Sequence, residues 1–281
     1  MPHLIRTAEP ALHQPVLIAA FEGWNDAGEA ATFAARFLAE RWEAEPFATI
    51  DPEEFFDFTS TRPHVRLDDD LQREIVWPST TLSSTTIPDS SVDVIFVIGS
   101  EPQLKWRTFC DAIVEAATAF DPRLVVTLGA LLAEVPHSRP VNVVGTAYDR
   151  ELVRRLSLTQ STYQGPTGIV GVLHDAFRRA GVPSASFWAA VPTYVPSAPS
   201  PKAALALVQR IGELLTVPLS TTDLEIASAS YERQIDELVA DDEDTAEYVA
   251  RLELAADEPS TDDDEEDGDL IAEVERFLRE Q

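Results

Sequence analysis

Three short stretches of this chain hold the residue types that could do chemistry. The first, Glu22-Gly-Trp-Asn-Asp-Ala-Gly28, sets carboxylate, amide and indole side chains side by side. Glu22, Trp24, Asn25 and Asp26 could bind a polar ligand or divide acid and base work between them. The same residues have a purely structural reading. Asp26 caps a helix, Asn25 makes a local turn bond, and Gly28 lets the helix approach the sheet. Trp24 is what turn chemistry explains least.

The second stretch is Glu134-Val-Pro-His-Ser-Arg-Pro140. His137 could carry a proton and Arg139 could contact an anion. Alternatively, Pro136 and Pro140 fix a loop in which Arg139 pairs with an acid such as Glu134. The third is Gln164-Gly-Pro-Thr-Gly-Ile-Val-Gly171. At a helix N-terminus, Gly165, Thr167 and Gly168 would leave backbone N–H groups free to meet a phosphate or carboxylate. Against this, Pro166 suits a first helical turn, and Gly168 and Gly171 suit a packing face.

Most standard signatures are missing. The chain has no G-x-S-x-G elbow, no Walker A loop, no G-x-G-x-x-G fingerprint, no H-E-x-x-H and no cysteine pair. Its five histidines (His3, His13, His64, His137, His174) are scattered without a shared metal-ligand spacing. The sequence therefore assigns no catalytic residue, no cofactor and no metal.

The elements that must position these residues alternate in type over the first 220 positions. The apolar run at 16–20 reads as a buried strand. Behind its turn comes a helix whose apolar positions are Ala30, Phe33, Ala34, Phe37 and Leu38. Further strands are expected at 92–98, 124–128, 141–144 and 185–191. Helices are expected at 104–120, from Gly165 to about Ala180 with Gly181 as a stop, and after the Ser200-Pro201 cap. Such alternation predicts a largely parallel sheet with helices on both faces, and ligands gather at the carboxyl ends of such strands. Residues 47–80 read instead as short, partly antiparallel strands with a turn at 68–70.

After Val217-Pro218 the pattern changes. Thr222-Asp-Leu-Glu225 has the form of a capping box, and Leu224, Ala227, Tyr231, Ile235 and Leu238 follow at helical spacing. A second helix begins near Thr245. The division expected is an α/β core at 1–220, a helical hairpin at 221–256 and an acidic tail at 257–281. The tail is an acidic run with no hydrophobic residue, followed by Leu270, Ile271, Val274, Phe277 and Leu278 at amphipathic spacing. A helix that short needs a surface to fold against, so these five are candidate docking residues.

Of the net charge of −28, residues 221–281 carry −19, from 23 Asp/Glu against 4 Lys/Arg. That field repels phosphate backbones and anionic lipid, so neither nucleic acid nor a membrane surface is an expected partner. No run approaches the roughly 18 apolar residues of a membrane span, and the N-terminus has no signal-peptide character. With Cys110 as the lone cysteine, the cytoplasm is the expected compartment.

Four segments carry a family resemblance: 19–30, with its Gly-Trp-Asn-Asp-Ala-Gly element; 128–140; 163–171; and Phe187-Trp-Ala-Ala-Val-Pro-Thr-Tyr194. Together with Tyr248-Val-Ala-Arg-Leu-Glu253, they resemble the proteasome assembly chaperone 2 family, in its bacterial, actinobacterial-type branch. The resemblance implies a three-layer α/β/α fold of the phosphorylase/hydrolase-like kind and self-association into a homo-oligomer. It also implies a chaperone role toward proteasome α subunits. Some archaeal relatives dock on the proteasome through a C-terminal hydrophobic–tyrosine–any ending. Here Glu280 stands at the tyrosine position.

Two functional readings follow. One is a non-enzymatic, oligomeric protein-binding factor that holds partners through the sheet-edge loops and the tail. The other is a small-molecule-binding protein or enzyme of phosphorylase/hydrolase type. That second reading needs loops 22–26, 137–139 and 165–168 to face one pocket.

Overall fold

A computed structural model describes residues 3–68, 71–160 and 164–257. The acidic run and the five candidate docking residues at 270–278 lie outside these, as does part of the turn expected at 68–70.

Strand β2 (Val16–Glu22) shows why the apolar runs become strands at the centre of a sheet. Val16, Ile18 and Ala20 enter the hydrophobic cluster on one face, while Leu17, Ala19 and Phe21 enter the cluster on the other. A strand covered on both faces reads as a continuous apolar run rather than an alternating one. Its neighbours are β7 (Asp93–Ser100) and β8 (Leu124–Ala133), both parallel to it, and β11 (Ser184–Pro192) lies parallel on the far side of β8.

These four strands form the parallel centre of a nine-stranded sheet. The sequence predicted a mostly parallel sheet, and the flanks revise that. On one side β6 (Thr80–Thr86), β3 (Glu45–Ile50) and β1 (Leu4–Arg6) add antiparallel pairings. On the other, β9 (Val143–Ala147) runs antiparallel to β11, and β10 (Thr159–Gln160) parallel to β9. Half of the eight neighbour pairs are therefore parallel. A separate antiparallel ribbon of β4 (His64–Leu67) and β5 (Arg73–Val76) stands outside the sheet.

Helices cover both faces, giving three layers. On one face lie α1 (Ala30–Arg41), α3 (Arg150–Leu156) and α5 (Pro201–Leu215). On the other lie α2 (Trp106–Thr118) and α4 (Ile169–Arg179). Helix α1 buries Ala30, Ala31, Ala34, Ala35 and Leu38 against the sheet and α5, whereas Phe33, expected on its apolar face, is exposed. Small side chains let the helix axis sit close to both layers. The helical hairpin is α6 (Thr222–Ala240) and α7 (Glu243–Asp257); α6 packs on α5, and α7 on α6. The cap at the start of α6 shifts by one residue: Thr221 is the N-cap, its hydroxyl bonds the Glu225 carboxylate, and no side chain caps a backbone amide there.

Two elements depart from the sequence reading for reasons of packing. Strand β8 continues well past Leu128, because Gly129 is where the Trp188 ring of β11 lies over the sheet; a Cβ there would stand 2.5 Å from that ring. Strand β6 is rich in Thr and Ser rather than apolar residues. Thr80, Ser83 and Ser84 are nonetheless buried at its pairings.

Candidate functional site

The turn after β2 is built by its own polar side chains. Asp26 Oδ1 accepts from the Ala31 amide at 2.7 Å and the Thr32 amide at 3.2 Å, and Oδ2 accepts from the Thr32 hydroxyl. Asp26 therefore caps α1 across an intervening 3-10 turn at Ala27–Glu29 rather than directly. Burial raises its carboxyl pKa above the usual value, against the pull of these donors. Gly28 holds a left-handed φ of 57°. A Cβ on it would meet Ser200 and the Ala198 carbonyl, so the close approach is to the loop before α5 and not to the sheet.

Asn25 is buried, and its carbonyl accepts from the Ala130 amide of β8 at 2.8 Å. Glu22 is half-buried at the strand end. Burial alone would raise its pKa, but the Ser100 hydroxyl at 2.7 Å and the Arg36 guanidinium outweigh that and hold it below the usual value.

Glu101, which sequence reasoning missed, joins the first and third stretches. It follows β7, and its Oε1 accepts from the Ile169 amide at 2.8 Å and from Asn25 Nδ2 at 3.4 Å. It thereby satisfies an orphan donor at the start of α4, a job that Gly168 as N-cap has no side chain to do. Desolvation raises the Glu101 pKa. Its capping role comes from a distant strand, so no local signal could have revealed it.

Trp24 is half-buried, and its ring lies against Gly168: a Cβ on Gly168 would stand 2.8 Å from Trp24 Cε3. Helix α4 begins at Ile169, so Gly165, Pro166 and Thr167 precede it and are exposed. Glu22, Trp24, Asn25, Asp26 and Gly168 thus share one corner at the carboxyl ends of β2 and β7.

His137 and Arg139 are engaged elsewhere, by the helical hairpin. His137 is buried, with Nδ1 2.8 Å from the Tyr194 hydroxyl and Nε2 3.0 Å from Asp236 of α6. The Tyr194 hydroxyl also accepts from the His137 amide at 2.7 Å. The Asp236 carboxylate can only accept, so Nε2 is the ring nitrogen that donates to it, and in the neutral ring Nδ1 then accepts from the Tyr194 hydroxyl. Arg139 makes a two-pronged contact with Asp257 at 2.7 and 2.6 Å, and lies 3.7 Å from Glu253. Its partners are on α7, not Glu134 as the local reading had it. Tyr248 of α7 donates to Glu134 at 3.3 Å, and Lys202 pairs with Glu232 of α6.

Away from these loops, a surface depression of about 840 Å³ lies at the joint of α5 and α6, lined by Gly212, Val217, Leu219 and neighbours. Among the described residues no group of three His, Cys, Asp or Glu side chains is placed to hold a metal. Among them too, no helix is long and apolar enough to cross a membrane. The buried Cys110 thiol is pushed up to about 12 by desolvation, so it is inert.

A three-layer α/β sandwich whose edge carboxylates are turned into its own helix starts is the class that this geometry defines. The model of the PAC2 family matches residues 20–239, and the chain belongs to that family. A PAC2 family protein of Streptomyces avermitilis of known structure is 44% identical, with a TM-score of 0.78, over 84% of this chain and 99% of that one. The proteasome-assembly chaperone homologue of Mycobacterium tuberculosis is 45% identical, with a TM-score of 0.75, over 83% of this chain and 99% of that one. An archaeal proteasome activator of Pyrococcus furiosus shares the fold at 16% identity, with a TM-score of 0.70, over 85% of this chain and 99% of that one. No curated protein is matched by this chain.

Proposed function

We propose that this protein is a non-enzymatic, oligomeric binding factor that assists proteasome assembly. In this reading residues 1–220 form the core, 221–256 are a helical extension, and 257–281 are a docking tail. Partners are proteasome subunits and further copies of the chain, held through the sheet-edge loops and the tail in the cytoplasm.

The observation that carries the reading is where the polar groups at the sheet's carboxyl edge are spent. Each of four such groups hydrogen-bonds to its own chain: Asp26 and Glu101 at helix starts, His137 against α6 of the hairpin, and Glu22 between Ser100 and Arg36. A general acid or base has to keep hydrogen-bond reach to a substrate proton. These groups are arranged to make a firm edge, with Trp24 half-buried on it and Gly165 and Thr167 exposed beside it. Kinship at 45% identity with a proteasome-assembly chaperone homologue supports the same reading.

Affinity capture of the full chain with crosslinking, in parallel with a chain ending at Asp257, tests it. Capture of proteasome α subunits that weakens on truncation, or on Trp24→Ala, is the expected result. Recovery of the full chain alone under several lysis conditions would sink the proposal.

A further inference from the structure

The β4–β5 ribbon is an exposed surface that the site leaves without a role. Its register sets Val65 opposite Ile75 and Leu67 opposite Arg73, with His64 opposite Val76 and Arg66 opposite Glu74. Side-chain alternation therefore puts Val65, Leu67, Ile75 and Arg73 on one face and His64, Arg66, Glu74 and Val76 on the other. All eight strand residues are exposed, Val65 at 58% and Leu67 at 56%. Trp77 extends the apolar face and is exposed too, although its ring meets Phe58 edge-on. A lone two-stranded ribbon is marginal in water, and a cluster of exposed apolar side chains marks a contact surface.

We propose that residues 270–278 of the same chain dock on this apolar face. The inference shares with the reading above only that the tail is a docking element: with no partner bound, its seat is the chain's own ribbon, and nothing in this rests on the proteasome. Reach is the first argument. The ribbon rises from the sheet's carboxyl edge, where β3 ends and β6 begins with Ile50 opposite Thr80. At its base, Gln103, just past β7, bonds Asp57 and Thr61. The tail leaves from the same edge, because Arg139 holds Asp257 beyond the end of β8. Strands β6 and β8 are separated by β7 and β2, a lateral distance of about 15 Å. The 12 residues 258–269 can span up to about 40 Å.

Composition and charge give the others. The linker 258–269 has no hydrophobic residue, whereas Leu270, Ile271, Val274, Phe277 and Leu278 recur at helical spacing. Such a segment orders only against an apolar surface. Arg62 and Arg73 make no ion pair among the described residues, and Glu273 and Glu275 lie within the docking segment. The tether holds the tail at an effective concentration of order mM, an advantage that a segment of a separate molecule lacks.

Hydrogen exchange on the purified full chain tests this, with no proteasome component present, so it stands or falls apart from α-subunit capture. Ribbon amides at 64–76 should exchange about tenfold or more faster in a chain ending at Asp257 and in Ile271→Asp/Phe277→Asp. Their protection in the full chain should not change with protein concentration. Equal exchange in all three chains overturns the proposal. So does protection that survives truncation and grows with concentration, which would assign the ribbon to a second copy. A Val65→Cys/Phe277→Cys chain treated with a short bifunctional thiol reagent should crosslink within the monomer. Crosslinked dimers alone, or no crosslink, count against it.

Discussion

The Trp24 ring occupies the space that a side chain on Gly168 would need, 2.8 Å from where its Cβ would stand. This contact ties the turn after β2 to the start of α4. The backbone at Gly168, with φ −88° and ψ −170°, is open to any residue. The glycine is therefore there for space and not for conformation. Gly168→Ala should destabilise the protein by about 1–3 kcal/mol through overpacking, read as a lower urea midpoint. Trp24→Leu in the same chain should recover part of the loss, leaving what Asn25 and Glu101 contribute at the same spot. A wild-type midpoint for Gly168→Ala alone would contradict the packing.

Acid sensitivity should come largely from His174, on the buried side of α4. Its Nδ1 lies 2.7 Å from the Ser184 hydroxyl, and its Nε2 lies 2.7 Å from Ser186 and 3.0 Å from Thr127. The Tyr148 ring stands edge-on to it. Desolvation lowers its pKa to about 4, against about 6.5 for an unfolded histidine. Between these values the unfolded chain binds more protons. Stability is complete above the unfolded pKa and falls as pH drops toward the folded one, by about 3 kcal/mol in all. Asp26 and Glu101, raised by burial, act with the opposite sign in the acid range. Urea midpoints at pH 7 and about 4.5 should converge in His174→Gln relative to wild type. An unchanged pH dependence in that variant would refute the assignment.

The sequence made the parallel centre legible because doubly covered strands are apolar without interruption, as in Val16–Phe21 and Val94–Val97. It hid whatever depends on a distant partner. Gly129 reads as a strand end until the Trp188 ring is placed over it. Thr80–Thr86 lacks an apolar run because hydroxyls fill its inward positions. In the candidate site, the cap by Asp26 was visible as local chemistry, whereas α4 begins at Ile169, four residues after the Gly165 start expected, with Pro166 outside it. Glu101 was not, since it caps a helix 68 residues away. Proximity in sequence likewise misassigned Arg139, whose acids lie more than a hundred residues on.

Tyr194 should prove a structural anchor. Its hydroxyl serves both the His137 amide and the His137 ring, and burial pushes its pKa up to about 12. Tyr194→Phe leaves the amide and Nδ1 without that partner in a buried place and should cost about 1–3 kcal/mol in urea unfolding. The loss should be shared with His137→Leu, so the double variant should fall short of the sum of the two. Full additivity would mean that the two side chains act independently.

Helix α7 should come off the core in salt before the sheet unfolds. Its one buried side chain is Val249, and Leu254 is 69% exposed. What holds its far end is charge: Arg139 against Asp257 and Glu253, with Ser138 bonding Glu253 as well. Exposed ion pairs weaken as the Debye length shortens, from about 10 Å at 0.1 M salt to about 3 Å at 1 M, whereas apolar burial does not. Amides of residues 250–257 should therefore exchange faster as salt rises, while those of β2 and β8 stay protected. Arg139→Ala should give that fast exchange already at low salt and remove most of the salt dependence. If α7 exchange is indifferent to both salt and Arg139→Ala, apolar packing and not the Arg139 clamp holds the helix.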